Sequence, residues 1–108
     1  MKKIIIIGGG AMGSAFTIPC LDNNNKVTIT EPYSERFIKD LSSKNKFHSA
    51  LKVKLPKKLK FRKFSKDLLK EKFDLIVIAL SLSGIDFIGK ELKNLKIKTP
   101  ILVLTKGL

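Results

Sequence analysis

The sequence predicts an α/β fold, a doubly wound parallel sheet of about five strands in the order 3-2-1-4-5. Short β-branched runs alternate along the chain with segments of helical periodicity, and the connections between them are short. The first apolar run is continuous, as expected for a parallel strand that is buried on both faces. At 108 residues the chain has room for one domain of this kind.

The first elements follow one another without a gap. Lys3–Ile7 is the first strand, and Ala11–Ile18 has the composition of a short helix. Pro19 is expected to end or kink that helix, because proline lacks an N–H group and clashes with the preceding turn. The polar turn Asp22–Asn25 then leads into the second strand, Lys26–Thr30.

The middle of the chain is less regular. Ser34 can cap a helix that carries apolar residues on one face. Ser42–Pro56 has no clean period, so we expect a loop with short irregular helix there. Leu59–Phe64 is predicted to be the third strand, because its apolar side chains alternate with basic ones.

The last part returns to regular alternation. Ser65 is a candidate cap for a short helix over Ser65–Lys70, and Asp74–Leu80 is a buried fourth strand. Ile85–Leu95 places apolar residues at helical spacing. Pro100–Leu104 is the fifth strand, with proline at its first residue, where no ladder hydrogen bond is lost.

The charge of the chain raises the question of a polyanionic partner. The formal net charge is +13, and Lys44–Lys72 contains twelve basic residues against two acids. This stretch is either a surface for nucleic acid or a set of solvated lysines. Specific nucleic-acid sites favour arginine, and only Arg36 and Arg62 are present, so we expect no specific nucleic-acid partner.

The sequence gives little sign of a disulfide, a membrane segment or a metal site. Cys20 is the single cysteine, which excludes an internal disulfide, and we interpret it as a packed side chain rather than a nucleophile. The apolar run after Lys3 is too short for a signal peptide or a membrane span. We therefore expect a cytoplasmic protein without a metal or a membrane partner.

A glycine-rich segment follows the first strand directly. It satisfies the pattern G-x-G-x-x-G and runs Gly8-Gly9-Gly10-Ala11-Met12-Gly13. Gly8 permits a tight turn, Gly10 lets the backbone approach a pyrophosphate, and Gly13 lets the helix pack closely on the strand. The helix N-terminus offers N–H groups and the positive end of its dipole to phosphates. The segment therefore predicts a Rossmann-type dinucleotide site formed by these six residues.

An acidic residue stands where this kind of site needs one. Glu31 directly follows the second strand and lies 18 residues after Gly13. Its carboxylate would accept hydrogen bonds from the adenosine ribose hydroxyls and repel a 2′-phosphate. This favours NAD over NADP, although Arg36 lies close enough in sequence to receive a 2′-phosphate.

With these features in view, the chain resembles the N-terminal domain of NAD-dependent glycerol-3-phosphate dehydrogenase over essentially its whole length. The segment that distinguishes this family is Leu102–Gly107, a strand that runs into a Lys-Gly pair. The resemblance implies that Lys106 reaches both cofactor and substrate. It also implies that Leu80 and Ser81, which follow the fourth strand, contact the cofactor.

The chain departs from the family in two places. Ala79–Ser83 stands where the family often has Val-Pro-Ser, and Glu31-Pro32 stands where many relatives have an arginine. The openings of ketopantoate reductases are also similar to Ile7–Ser14, so an NADP-binding domain of that kind is an alternative. That family usually has Asn-Gly in place of Lys106-Gly107, which favours the dehydrogenase.

The resemblance also implies what residues 1–108 lack. The family's catalytic lysine and substrate pocket lie in a C-terminal helical domain, so we expect a dinucleotide-binding domain with no catalytic residue that is inactive alone. His48 is interpreted as an ordinary surface residue. A phosphorylated substrate is expected only with a second domain, and self-association or association with a separate catalytic half would cover exposed apolar surface. A non-catalytic dinucleotide-binding module is the other alternative.

Overall fold

Five parallel strands form the central sheet in the computed structural model, which describes residues 1–33, 47–48 and 53–104. The strands of the described residues, numbered along the chain, are β1 (Lys3–Ile7), β2 (Lys26–Thr30), β3 (Phe47–His48), β4 (Val53–Lys54), β5 (Lys60–Phe61), β6 (Leu75–Ile78) and β7 (Ile101–Val103). The large sheet has the order β5-β2-β1-β6-β7, and β3 pairs with β4 in a separate antiparallel ribbon. Counted along the large sheet alone, this is the order 3-2-1-4-5, which confirms the predicted fold class.

Helices cover both faces of the sheet. They are α1 (Ala11–Asp22), α2 (Lys66–Lys70) and α3 (Leu82–Asn94). Ile4 and Ile6 of β1 belong to the core cluster that includes Cys20 of α1. Ile5 and Ile7 belong to the opposite cluster, which includes the buried residues of α2 and α3. The isoleucine run is therefore continuous because β1 is the central strand and has core on each side. None of the helices in the described ranges is long and apolar enough to cross a membrane.

Pro19 was expected to end or kink the first helix; it does not end it, because α1 continues to Asp22 with Pro19 inside it. The ring of Pro19 is exposed, while Thr17 and Cys20 on the other side of the helix are buried. After the proline the helical pattern resumes, since Asn23 N–H donates to the Pro19 carbonyl at 3.2 Å. Burial of the inner face outweighs the single backbone hydrogen bond that proline removes.

The predictions for two shorter elements, the helix α2 and the third strand of the sheet, are confirmed in part. The Ser65 hydroxyl accepts a hydrogen bond from Leu68 N–H at 3.1 Å, so this residue caps α2 as predicted. The third strand of the sheet is only Lys60–Phe61, shorter than predicted, although Leu59 and Phe61 do pack against the same core cluster. In the described part of Ser42–Pro56, where a loop with short irregular helix was expected, β3 and β4 form a ribbon. Residues 42–46 and 49–52 lie outside the described residues. The predicted helix after Ser34 lies outside the described residues.

Candidate functional site

A cavity of about 800 Å³ opens at the carboxyl edge of the sheet. It opens where the connections after β1 and β6 run to opposite faces, the place at which sheets of this topology bind ligands. Its walls come from three segments, the loop after β1, the end of β2, and the residues that join β6 to α3. The lining residues are Gly10, Ala11, Met12, Gly13, Glu31, Tyr33, Ala79, Leu80, Ser81, Leu82 and Ile85.

Two of the glycines are required by close packing beneath the cavity. Gly8 has φ +123°, and a Cβ atom there would lie 2.1 Å from the carbonyl oxygen of Ala79. A Cβ atom on Gly13 would lie 2.2 Å from the carbonyl oxygen of Gly8. Both contacts are to backbone atoms that no side-chain rotation can move. The loop after β1, the start of α1 and the end of β6 therefore meet at distances that only glycine allows.

Gly10 is different, because a Cβ atom there would meet nothing within 4 Å. It is the N-cap of α1 and has no side chain to satisfy the amides of the first turn. Nor does that turn contain an acidic residue. The positive end of the α1 dipole thus faces open space in the cavity, which fits an anionic group such as a pyrophosphate.

Glu31 connects the end of β2 to the glycine loop. Its Oε1 accepts the N–H of Gly9 at 2.8 Å, and its Oε2 accepts the N–H of Tyr33 at 3.0 Å. A carboxylate has about four acceptor positions, so two positions remain for a ligand. On the far side of the loop, the Ser14 hydroxyl donates to the Gly9 carbonyl at 2.9 Å. Gly9 is thus held through both its N–H and its carbonyl, a role that its place in the sequence pattern did not reveal.

Tyr33 was not among the predicted site residues, yet it lines the cavity beside Glu31. Its ring is 60% exposed and meets the ring of Phe87 edge-on, with the centroids 6.5 Å apart. A Cβ atom on Gly84 would lie 3.0 Å from the tyrosine ring, so α3 offers the ring a glycine surface. A flat, half-exposed aromatic surface at this position suits contact with a planar base. The sequence signal that could have identified Tyr33 is its position two residues after Glu31.

Among the described residues that line the cavity, Glu31 has the one charged side chain. Anionic groups would therefore be held by backbone amides and helix dipole rather than by lysine or arginine side chains from this lining. At the other wall, Ser81 is the N-cap of α3 and its hydroxyl lies 3.2 Å from that of Ser83. Leu80 supplies apolar wall between the two helix starts.

Seven of the predicted site residues line the cavity, namely Gly10, Ala11, Met12, Gly13, Glu31, Leu80 and Ser81. Gly8 and Gly9 belong to the same loop, where Gly8 packs against Ala79 and the N–H of Gly9 donates to Glu31. Lys106 lies outside the described residues, as does Arg36. Cys20 is buried away from the cavity, and burial raises the pKa of its thiol, so it is not a thiolate at neutral pH. The backbone of His48 lies in β3.

Comparison with known families gives one match over nearly the whole chain. Residues 3–108 match the family model described as the N-terminus of NAD-dependent glycerol-3-phosphate dehydrogenase. No curated protein sequence matches the chain.

Solved structures show the same fold. The chain is similar to glycerol-3-phosphate dehydrogenase from Coxiella burnetii, with 22% identity and a TM-score of 0.76 over 99% of this chain and 33% of that one. An Enterococcus faecalis protein assigned as a 2-dehydropantoate 2-reductase has 26% identity and a TM-score of 0.68 over 98% of this chain and 34% of that one. D-mandelate dehydrogenase in complex with NADH has 22% identity and a TM-score of 0.66, over 98% and 32%. The chain therefore spans about one third of the length of these structures.

Proposed function

Because this chain belongs to the family of the N-terminal domain of NAD-dependent glycerol-3-phosphate dehydrogenase, we propose that it binds NAD(H) in the cavity at the carboxyl edge of its sheet. The observation that carries the proposal is the start of α1. Gly10 leaves both the space above it and the first-turn amides open to a pyrophosphate. Backbone amides of Ala11 and Met12 would donate to the phosphate oxygens.

The preference for NAD over NADP rests on Glu31. Its two remaining acceptor positions would take the ribose hydroxyls of the adenosine, and its negative charge would repel a 2′-phosphate. Tyr33, next to it, offers its ring to the adenine. The Glu31 carboxylate is already held in place by hydrogen bonds from the backbone N–H groups of Gly9 and Tyr33.

The reaction we propose for the protein as a whole is the interconversion of glycerol 3-phosphate and dihydroxyacetone phosphate. The bound nicotinamide would supply or accept the hydride. Within this chain, the cavity positions the cofactor, and Leu80 and Ser81 form the wall beyond the glycine loop. None of the described lining residues is a general acid placed for proton transfer, so residues 1–108 alone are expected to bind cofactor without turnover.

The test of cofactor choice is calorimetric titration with NADH and with NADPH. Wild type is expected to bind NADH more tightly. Glu31→Gln keeps an oxygen that can accept the Gly9 N–H but removes the charge, so it separates ribose recognition from support of the loop. Loss of charge-assisted hydrogen bonds of about 1.5–3 kcal/mol predicts NADH binding weaker by roughly 10- to 100-fold.

The matched control is Glu71→Gln, which removes the same charge from an acid outside the cavity lining. It is expected to leave both affinities unchanged. Tighter binding of NADPH than of NADH by wild type would contradict the NAD assignment. That result would favour the second candidate, an NADP-binding domain like that of the reductases, which the 26% identity to the Enterococcus faecalis protein supports.

A further inference from the structure

A second cavity, of about 430 Å³, lies at the opposite edge of the sheet from the glycine loop. The strands begin there, and its wall includes four lysines, Lys3, Lys26, Lys58 and Lys60, together with the turn residues Asn24 and Asn25. No carboxylate is among its described lining residues. Its size falls within the range of about 300–1,000 Å³ that is typical of small-molecule sites.

The strand register places two of these lysines side by side and a third on the same face of the sheet. Lys3 of β1 lies directly beside Lys26 of β2, and Lys60 of β5 lies beside Thr28. Residues at i and i+2 in a strand share a face, so Lys26, Thr28 and their neighbours Lys3 and Lys60 are on the same face. Neighbouring like charges on adjacent strands repel one another, and an anion between them would remove that cost.

Little of this charge is compensated by the described part of the chain. The Lys3 ammonium lies 3.8 Å from Glu71 and over the Phe73 ring. Glu71 is already engaged by Arg62, whose guanidinium lies 2.6 Å from its other carboxylate oxygen. Among the described residues, no carboxylate forms an ion pair with Lys26, Lys58 or Lys60. The cavity is therefore lined by three lysines, Lys26, Lys58 and Lys60, whose charge no carboxylate of the described residues pairs.

We propose that this cavity binds a small polyanion that carries two or more phosphate groups. A lysine ammonium is a compact point charge with three donors and binds phosphate oxygens well, and four lysines are among the described lining residues. Several ammonium groups set around one space match a ligand with several charges better than a single phosphate. The concave shape and the limited volume select a small ligand over a nucleic-acid strand.

The test uses the 108-residue chain and inorganic triphosphate as the probe, with inorganic phosphate for comparison. Each ammonium–phosphate contact at about 4 Å in water is worth about fivefold in affinity. The variant Lys26→Gln/Lys58→Gln/Lys60→Gln is therefore expected to bind triphosphate on the order of 100-fold more weakly than wild type. The control Lys70→Gln/Lys93→Gln/Lys98→Gln removes the same charge from lysines outside the cavity lining and is expected to lose less than about threefold.

Amide chemical shifts locate the bound triphosphate and separate this cavity from the glycine loop. The proposal expects shifts at Asn25, Lys26 and Lys60, and expects NADH affinity to be the same in both triple variants. Equal losses in the two variants, or shifts confined to residues 9–13, would overturn it. So would tighter binding of a single-stranded oligonucleotide than of triphosphate, with equal loss in both variants, because that result indicates a general polyelectrolyte surface.

Discussion

Gly13→Ala should destabilise the fold through a single backbone clash. The added Cβ would lie 2.2 Å from the Gly8 carbonyl oxygen and 3.1 Å from the Ala79 Cβ, and contacts below 3.0 Å do not occur in real structures. Because Gly8 N–H donates to the Thr30 carbonyl at 2.8 Å, the loop cannot retreat without weakening its bond to β2. Overpacking of a rigid contact costs up to about 3 kcal/mol.

The assay is thermal and chemical unfolding followed by circular dichroism. A loss of about 3 kcal/mol lowers the Tm of a domain of this size by on the order of 15 °C. The matched control is Gly10→Ala, whose Cβ meets nothing within 4 Å and whose backbone, with φ −66°, suits alanine. It is expected to change the free energy of unfolding by less than about 1 kcal/mol. Equal unfolding midpoints for Gly13→Ala and wild type would refute the account of this contact.

Three further predictions concern single side chains. The Thr30 hydroxyl is buried without a hydrogen-bond partner among the described residues, so Thr30→Val is expected to raise the free energy of unfolding by about 1 kcal/mol in urea titrations. Ser65→Ala removes the cap of α2 and is expected to cost about 1 kcal/mol in the same measurement, with Ser65→Asp as the rescuing control. The Arg62 guanidinium lowers the pKa of Glu71, so its stabilising effect is present above the ordinary pKa of a glutamate and is lost as the pH falls through the lowered one. The stability difference between wild type and Glu71→Gln should therefore shrink on acidification, and a difference that grows instead would contradict the pairing.

The sheet could be predicted because its signals are local. Lys3–Ile7 is apolar at every position after the first, which marks a strand with core on each side, and the observed strand has the predicted bounds. Pro19 shows the limit of the same reasoning. Its effect on a helix was judged from the backbone alone, whereas the outcome depends on the burial of Thr17 and Cys20, which only the packed structure reveals.

In the candidate site, too, local sequence signals were predictive and contacts made by packing were not. Spacing along the chain located the glycine loop and Glu31, because both belong to a pattern with a known physical basis. It did not show that Glu31 accepts the Gly9 N–H or that Tyr33 lies against Phe87 and Gly84, since these contacts join residues that are 22 or more positions apart. Such contacts depend on how β2 and α3 pack around β1, and no local signal encodes them.

The most direct test of the central claim is calorimetric titration of NADH into wild type and Gly10→Val. The valine side chain fits the extended backbone at Gly10 and enters open space, so the variant is expected to unfold at nearly the wild-type midpoint. It would occupy the position proposed for the pyrophosphate. We predict one NADH site per chain in wild type and no measurable binding in the folded variant. Equal NADH affinity in the two proteins, or a folded wild type that binds no NADH, would contradict the account.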